Sequence, residues 1–385
     1  KDEVPNHWSS KHWMIQDLPT ATWIHQFDQF TRSSYRTTTQ FDPYAAKSDQ
    51  KASADGWFDT TMPDMNQNNP LLLTYLIQNT IWWIEWADLD GLRVDTYSYN
   101  DKEAIAIWTK AIMDEYPNLN IVGEVWMHDQ AQMAFWQKDS PIGALQHFNS
   151  NMPSVMDFTL HDAMMQAFKE KEQGWDQGMV RFYENFSQDY LYANPKNLLV
   201  FMENHDTQRF NETYTSLADY KLALTLIATT RGIPQIYYGS EIGMRGSKAV
   251  GDADIRRDFF KGSISTERDM NQEAYFQFTK NILNWRKDQK VIHEGALLQY
   301  VPQNNVYVYF RYLNPEKSAS KNPEVIMVIL NNSEKEEELV WDRFTEGIQG
   351  FNFGTDVLTN QTFDLEQKTG KIPAKTAYII QLKNN

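Results

Sequence analysis

Between residue 70 and about residue 290, short apolar runs alternate with stretches of helical periodicity, a pattern that predicts βα repeats and a parallel sheet. The best-marked helix covers 70–87: Asn68 and Asn69 offer N-caps, Pro70 suits the first turn, and LLLTYLIQNTIWWIEWA continues to Ala87. That run is apolar nearly all round, which predicts burial on more than one side. Strand-like runs follow at 91–95, 120–124, 154–158, 197–203 and 233–239, separated by helical stretches such as 101–115, 161–172 and 217–230. With the stub before Asn6 they make six candidate parallel strands. Residues 8–66 break the pattern, being rich in Ser, Thr, Asp, Gln and aromatics, and read as a long irregular excursion between two strands. Loops of that length are uncommon unless they serve a function. After about residue 295 the runs 306–313, 324–332, 339–344, 356–365 and 376–382, with turn residues at Asn304-Asn305 and Thr359-Asn360, predict an antiparallel sandwich.

Composition narrows the picture. A chain of 385 residues has room for two or three domains and a large core. Its net charge of −15, with no basic patch, argues against nucleic acid and anionic lipid as partners. No apolar run approaches the roughly 18 residues of a membrane span, so no membrane insertion is expected. The absence of cysteine excludes disulfides and thiolate metal sites. The 13 tryptophans suit either a large aromatic core or flat rings that meet a ligand.

The chemistry concentrates at strand ends. In DGLRVDTY (90–97), alternation puts Gly91, Arg93 and Asp95 on one face and Leu92 and Val94 on the other. In a parallel barrel the first set faces the interior, with Asp95 at the C-terminal end, where such barrels keep their active sites. Arg93 favours the charged form of Asp95, the state a carboxylate nucleophile needs, although Arg-x-Asp alone also suits a structural ion pair. Glu124 ends the next strand, IVGEVW, 29 residues further on. A third acid, Asp206, follows His205 at the end of LLVFMENHD. Each acid could instead cap the next helix, but three at strand ends beside an Arg and a His suit glycoside cleavage. A divalent metal cluster is the rival reading, and Arg93 within the group argues against it.

DEVPNH (2–7), MPDMN (62–66), DGLRVD (90–95), GEVW (123–126), ENHD (203–206) and GIPQIYYGSEIGM (232–244) stand in the order and spacing of the short motifs of the α-amylase family of glycoside hydrolases. The set resembles that family over nearly the whole chain, and MPDMN is most similar to the neopullulanase and cyclomaltodextrinase branch. The resemblance implies an α/β fold: a (β/α)8 TIM barrel, strands three to eight present, with an inserted B domain and a C-terminal antiparallel β-sandwich. Residues 1–7 and 67–294 would form the N-terminally incomplete catalytic barrel, 8–66 the B domain and 295–385 the sandwich. It also implies roles: Asp95 as nucleophile, Glu124 as general acid/base, and Asp206 as the third carboxylate that grips the sugar. Arg93 would orient the nucleophile, and His7 and His205 would hydrogen-bond the sugar; apart from the resemblance, Trp126 is a candidate stacking platform, with core packing as the alternative. Asp2 matches a structural acid, and Trp8, Trp13 and Trp57 are further candidate platforms.

Two departures bear on these expectations. The family's structural calcium uses the Asn of the first motif, here Asn6, and a His four residues after the nucleophile, where this chain has Tyr99. No cofactor is therefore expected to be required, and a calcium site would lack one ligand. The first motif belongs to strand three yet begins at residue 2, so an upstream segment of the same protein carrying two βα units is expected, and a homodimer is a further possible partner. The expected activity is retaining cleavage of α-1,4-glucosidic bonds in starch-derived glucans, pullulan or cyclomaltodextrins. The alternatives are a transglycosylase or isomerising relative, or a non-catalytic glucan-binding homologue. Polymeric substrates would place the protein in the periplasm or outside the cell, and imported oligosaccharides in the cytoplasm.

Overall fold

The computed structural model describes residues 1–171, 174–259, 268–313 and 324–384. The chain divides into two compact units, Lys1–Phe158 with Tyr190–Leu199, and Thr159–Asp189 with Val200–Asn385.

The first unit is built on a parallel sheet of β1 (Asp2–Glu3), β2 (Gly91–Val94), β3 (Asn120–Gly123) and β4 (Ser154–Val155), in that order. Met156 continues the ladder by a parallel bridge to Leu199, and the Asp157 amide donates to the Leu199 carbonyl at 2.8 Å. Helix Pro70–Ala87 starts as its sequence predicts: Asn69 Oδ1 accepts from the amides of Leu71 (2.9 Å) and Leu72 (3.3 Å), and Pro70 occupies the first turn. Its burial differs from expectation. Leu72, Leu76, Thr80 and Ile84, spaced by four, form one buried stripe, while Leu71 (65%), Trp82 (51%) and Trp86 (67%) are exposed. Helix Lys102–Glu115 packs against this helix, and no described element of the first unit covers the tryptophan face. That neighbouring helix is capped by Asp101, whose Oδ1 accepts from Glu103 and Ala104.

Residues 8–66 carry only short helices, such as Trp13–Gln16 and Lys47–Ala54, and isolated bridges. One buried carboxylate anchors the excursion. Asp64 Oδ1 accepts from Asn6 Nδ2 at 3.0 Å and Oδ2 pairs with His25 Nδ1 at 2.6 Å, while the Asp64 carbonyl accepts the His25 amide at 3.0 Å. Trp57 Nε1 ties to the His25 carbonyl at 2.6 Å.

In the second unit, β5 (Leu199–Phe201), whose last two residues lie in this unit, pairs with β6 (Ile233–Gln235). Helices Phe158–Ala167, Val180–Ser187, Leu217–Thr229 and Met270–Lys287 surround a core of Leu160, Phe182, Leu222, Leu226 and Ile282. Residue 172 of the helix expected at 161–172 lies outside the described residues. The last strands are β7 (Ala296–Gln299), β8 (Val306–Leu313), β9 (Glu324–Asn331), β10 (Glu337–Val340), β11 (Phe353–Asp356), β12 (Thr362–Asp364), β13 (Thr369–Ile372) and β14 (Thr376–Lys383). Six form an antiparallel sheet in the order β12-β11-β14-β9-β8-β7, and β10 pairs with β13.

The run VYVYF is apolar at consecutive positions because both faces of this sheet are covered. Val308, Phe310, Met327 and Ile329 face Leu339 and Ile372 of the small sheet. Tyr307, Tyr309, Val328 and Leu330 join the helical core. Two expected strands change character. The run 339–344 leaves the strand after Val340 for a 3₁₀ turn, Trp341–Phe344, whose two aromatic ends both enter the core. The run 356–365 is split by a turn in which Asp356 Oδ2 accepts from the Thr359 amide (2.8 Å) and hydroxyl (2.7 Å).

Burial raises Asp64 to about 7, against the opposing pull of its His25 and Asn6 contacts. The folded chain therefore holds a proton that the unfolded chain releases from about pH 4, and stability should fall as pH rises through about 7. Asp64→Asn, which carries no titrating proton, should show a smaller loss of Tm between about pH 5 and about pH 8 than the parent in thermal unfolding. Parallel losses in the two proteins would overturn this assignment.

Candidate active site

The register of three neighbouring strands gathers the first group of functional side chains. Asp2 pairs with Arg93, Arg93 with Val122 and Val94 with Gly123, so Asp95 and Glu124 follow directly on adjacent strands. Backbone bonds continue the ladder past the strand ends, from the Asp95 amide to the Glu3 carbonyl at 2.8 Å and from the Glu124 amide to the Val94 carbonyl at 2.9 Å. Arg93 then divides its guanidinium among three acids. Nη1 donates to both oxygens of Asp2 at 3.0 Å and to Asp95 Oδ1 at 2.7 Å, while Nη2 donates to Glu124 Oε1 at 2.7 Å. Burial disfavours the cation, but Glu124, Asp2 and Asp95 together hold Arg93 above its ordinary value.

Glu124 Oε2 accepts from the Thr96 amide at 2.9 Å. Thr96 reaches it from a left-handed conformation (φ 49°), a costly one for a β-branched residue, directly after the expected nucleophile. Both Glu124 oxygens thus accept hydrogen bonds from the protein.

His7 Nδ1 lies 3.1 Å from Asn6 Oδ1, and its ring packs 5.0 Å from Phe58. Burial lowers His7, opposed by the charge of Asp95, which favours a neutral imidazole able both to donate and to accept. Trp126 stacks on Phe158 at 4.7 Å, keeps 38% of its surface exposed, and so has one ring face committed to the protein. A hollow of about 400 Å³ beside His7 is lined by Trp8, His12 and Met62. Trp13 is exposed, whereas Trp57 is partly buried and hydrogen-bonded within the excursion.

Sequence reasoning missed the ring cluster next to His7. Phe58 meets Tyr99 edge-on at 4.9 Å and Tyr35 at 5.5 Å, and Tyr99 is raised by burial and then by the charge of Glu124. Tyr99 drew notice only as a departure from a calcium ligand. Asn6 Nδ2 donates to Asp64 Oδ1 at 3.0 Å and to the Tyr99 carbonyl at 3.4 Å. Among the described residues no three His, Asp or Glu side chains are grouped to share a metal ion.

The second unit holds the ENHD motif after β5. Glu203 is fully buried against Arg209 at 2.9 Å, accepts from Ser240 Oγ at 2.6 Å, and is also bonded by the Phe210 amide. It is a structural acid that burial raises, with Arg209 opposing. Asn204 Oδ1 accepts from the amides of Asp206 and Thr207, both at 2.9 Å, making the turn that presents Asp206. His205 Nε2 lies 2.9 Å from Asp206 Oδ2, and Arg256 Nη2 lies 2.5 Å from Asp206 Oδ1 while its Nε donates to the His205 carbonyl. Burial pulls Asp206 upward, but His205 and Arg256 outweigh it and hold the carboxylate down at about 2. Arg256 was not legible in the sequence, since it sits 50 residues away in a loop without periodicity.

Comparison with known proteins gives the chain its family. The catalytic domain of α-amylase matches residues 1–325, and the cyclomaltodextrinase C-terminal domain matches residues 297–381. A cyclomaltodextrinase of Thermoanaerobacter pseudethanolicus is 26% identical over 342 residues, covering 87% of this chain and 52% of the relative. A cyclomaltodextrin glucanotransferase of Geobacillus stearothermophilus is 25% identical over 289 residues, covering 74% of this chain and 36% of the relative. The chain thus spans about half or less of the length of these curated relatives. The crystal structure of an α-amylase from Geobacillus thermoleovorans, solved with acarbose, superposes with a TM-score of 0.78 at 23% identity, covering 100% of this chain and 77% of that one. Its likeness shows the expected fold class, a (β/α)8 TIM barrel with a C-terminal antiparallel β domain.

Replacing Arg256 by Met should raise Asp206 from about 2 toward the ordinary aspartate range, because one of its cations is lost. Carboxyl ¹³C NMR titration of the parent and variant measures this, and an unmoved midpoint would show that Arg256 does not hold the carboxylate down.

Proposed function

The chain belongs to the α-amylase catalytic-domain family, and from that premise we propose that the protein is a retaining glycoside hydrolase of α-1,4-glucans, including cyclomaltodextrins. The observation that carries this reading is the single Arg93 guanidinium bonded to both Asp95 and Glu124 at adjacent strand ends. Two carboxyl groups held so close suit the retaining mechanism, where they stand about 5–5.5 Å apart. Glu124, once protonated, gives its proton to the leaving oxygen while Asp95 attacks the anomeric carbon. Water then breaks the glycosyl–Asp95 ester, with Glu124 taking the water's proton. Asp206 stays ionised beside His205, and the family motifs give both a sugar-binding role; in the first unit His7 offers an imidazole to a sugar hydroxyl, and Trp126 and Tyr99 offer ring surface.

Relatives named cyclomaltodextrinase and maltogenic α-amylase, and the match of residues 297–381 to a cyclomaltodextrinase C-terminal domain, support the substrate class. We keep the division into a barrel (1–7, 67–294), a B domain (8–66) and a C-terminal domain (295–385), supported by the start of the antiparallel sheet at Ala296. No cofactor enters the proposed steps. A periplasmic or secreted location follows only from the size of glucan substrates. We also propose that a further segment of the same protein, rather than a second copy, lies along the outer edge of β1. Among the described residues β1 has no strand partner on that edge, and this and the exposed Trp82 and Trp86 face support the proposal. A chain that dimerises stably through this edge in sedimentation would overturn it.

Asp95→Asn and Glu124→Gln should each lower turnover by several orders of magnitude while leaving the circular-dichroism spectrum unchanged. A digest panel of amylose, pullulan and cyclomaltodextrins reads both activity and product. Near-parental rates in either variant would refute the roles, and products dominated by transfer to added sugar would replace hydrolysis with transglycosylation. Chelation with EDTA should leave Tm and rate unchanged, and a loss restored by Ca²⁺ would reverse the no-cofactor reading.

A further inference from the structure

Within the second unit, helices Leu217–Thr229 and Met270–Lys287 face the turn after β11 and the start of β14 across a groove of about 660 Å³. That size lies within the roughly 300–1,000 Å³ typical of small-molecule sites. The groove shares no residue with the carboxylate groups described above. Leu217, Ala274, Phe278, Leu358 and Ala377 supply apolar lining, and Lys221, Asn281 and Gln361 supply polar groups.

The state of these polar groups narrows the ligand. Asp356 is consumed by its own turn: Oδ2 accepts from Thr359, and Oδ1 accepts the Ile379 amide at 2.8 Å. Lys375 is held by Asp219 at 3.1 Å and Asn332 at 2.8 Å. Two of the three charged groups on the wall are thus committed to the fold. Gln361 uses Oε1 to accept the Tyr378 hydroxyl at 2.9 Å, which orients its Nε2 as a donor. Lys221 Nζ sits 5.4 Å from the Phe278 ring centroid, so a donor-rich head adjoins an aromatic surface. An apolar floor with an aromatic ring, edged by an amide pair and one ammonium, suits an uncharged ligand with flat C–H faces and hydroxyl edges. A pyranose has that character.

We propose that this groove binds a second stretch of α-glucan, separate from the stretch being cleaved. The inference rests on the glucan reading above and deepens it. Holding a remote part of a long chain raises its effective concentration at the reacting carboxylates, an advantage that short oligosaccharides cannot share.

The test uses the full chain with ¹³C-labelled alanine methyl groups and maltoheptaose as probe. The Ala274 and Ala377 resonances should shift and saturate. Asn281→Trp, at an exposed position on the groove wall, should abolish the shifts, and Lys221→Ala should weaken binding by about fivefold to tenfold, the size of one or two lost contacts. Both variants should hydrolyse maltotriose at the parental rate and show a higher KM on amylose alone. Methyl groups that do not respond while hydrolysis proceeds would overturn the site and leave the hydrolase reading standing. Shifts without hydrolysis by the parent would support the site and refute that reading. A response to dextran sulfate but not to maltoheptaose would mark an anion site and overturn the proposal.

Discussion

One guanidinium sets the terms for the first unit. Arg93 bonds an acid from each of three neighbouring strands. The arrangement exists only because Asp2 lies opposite Arg93, and Glu124 comes one residue after the partner of Val94. A strand alternates its faces with period two, so a slip of one residue would turn Arg93 or its acids to the helix side and leave charges among apolar groups. The chemistry of the site and the register of the sheet are therefore the same constraint. The burial of Glu124 beside this cation carries a desolvation cost that the Arg93 and Thr96 donors offset.

The second unit separates structure from chemistry within four residues. In ENHD, Glu203 is fully enclosed with Arg209, a pair whose disruption from one side would cost on the order of 3–5 kcal/mol. Three residues later, Asp206 reaches the surface of the same turn and meets His205 and Arg256 instead. The Asn204 side chain between them serves the turn itself. Two acids of one motif thus acquire opposite titration behaviour, Glu203 raised by enclosure and Asp206 lowered by cations. Residue type alone carries no information about that difference.

The irregular 8–66 excursion shows how a segment without periodicity is held. Its short helices contribute little core, and Asp64, His25 and Trp57 tie it by hydrogen bonds to Asn6 and to each other. Those ties place Phe58 against His7 and Tyr99, so the excursion brings aromatic surface to the neighbourhood of Glu124.

Periodicity and caps determined the regular elements: the helix from Pro70 to Ala87, the strands ending at Val94 and Gly123, and the pair β8 and β9. Alternation also determined that Arg93 and Asp95 share a face, because the rule acts on neighbours along one strand. The sequence was less informative wherever a residue's surroundings come from elsewhere in the chain. Trp82 and Trp86 were expected to be buried and are exposed, since covering a helix face requires a second element. Trp341 was expected in a strand and lies in a turn, since the core drew both Trp341 and Phe344 inward. Arg256 joined Asp206 across 50 residues, and Asn6, Asp64 and His25 formed their network across tens of residues. Local sterics and amphipathic period are written in consecutive residues, whereas burial, charge pairing and the state of each carboxyl depend on contacts that only the folded chain creates.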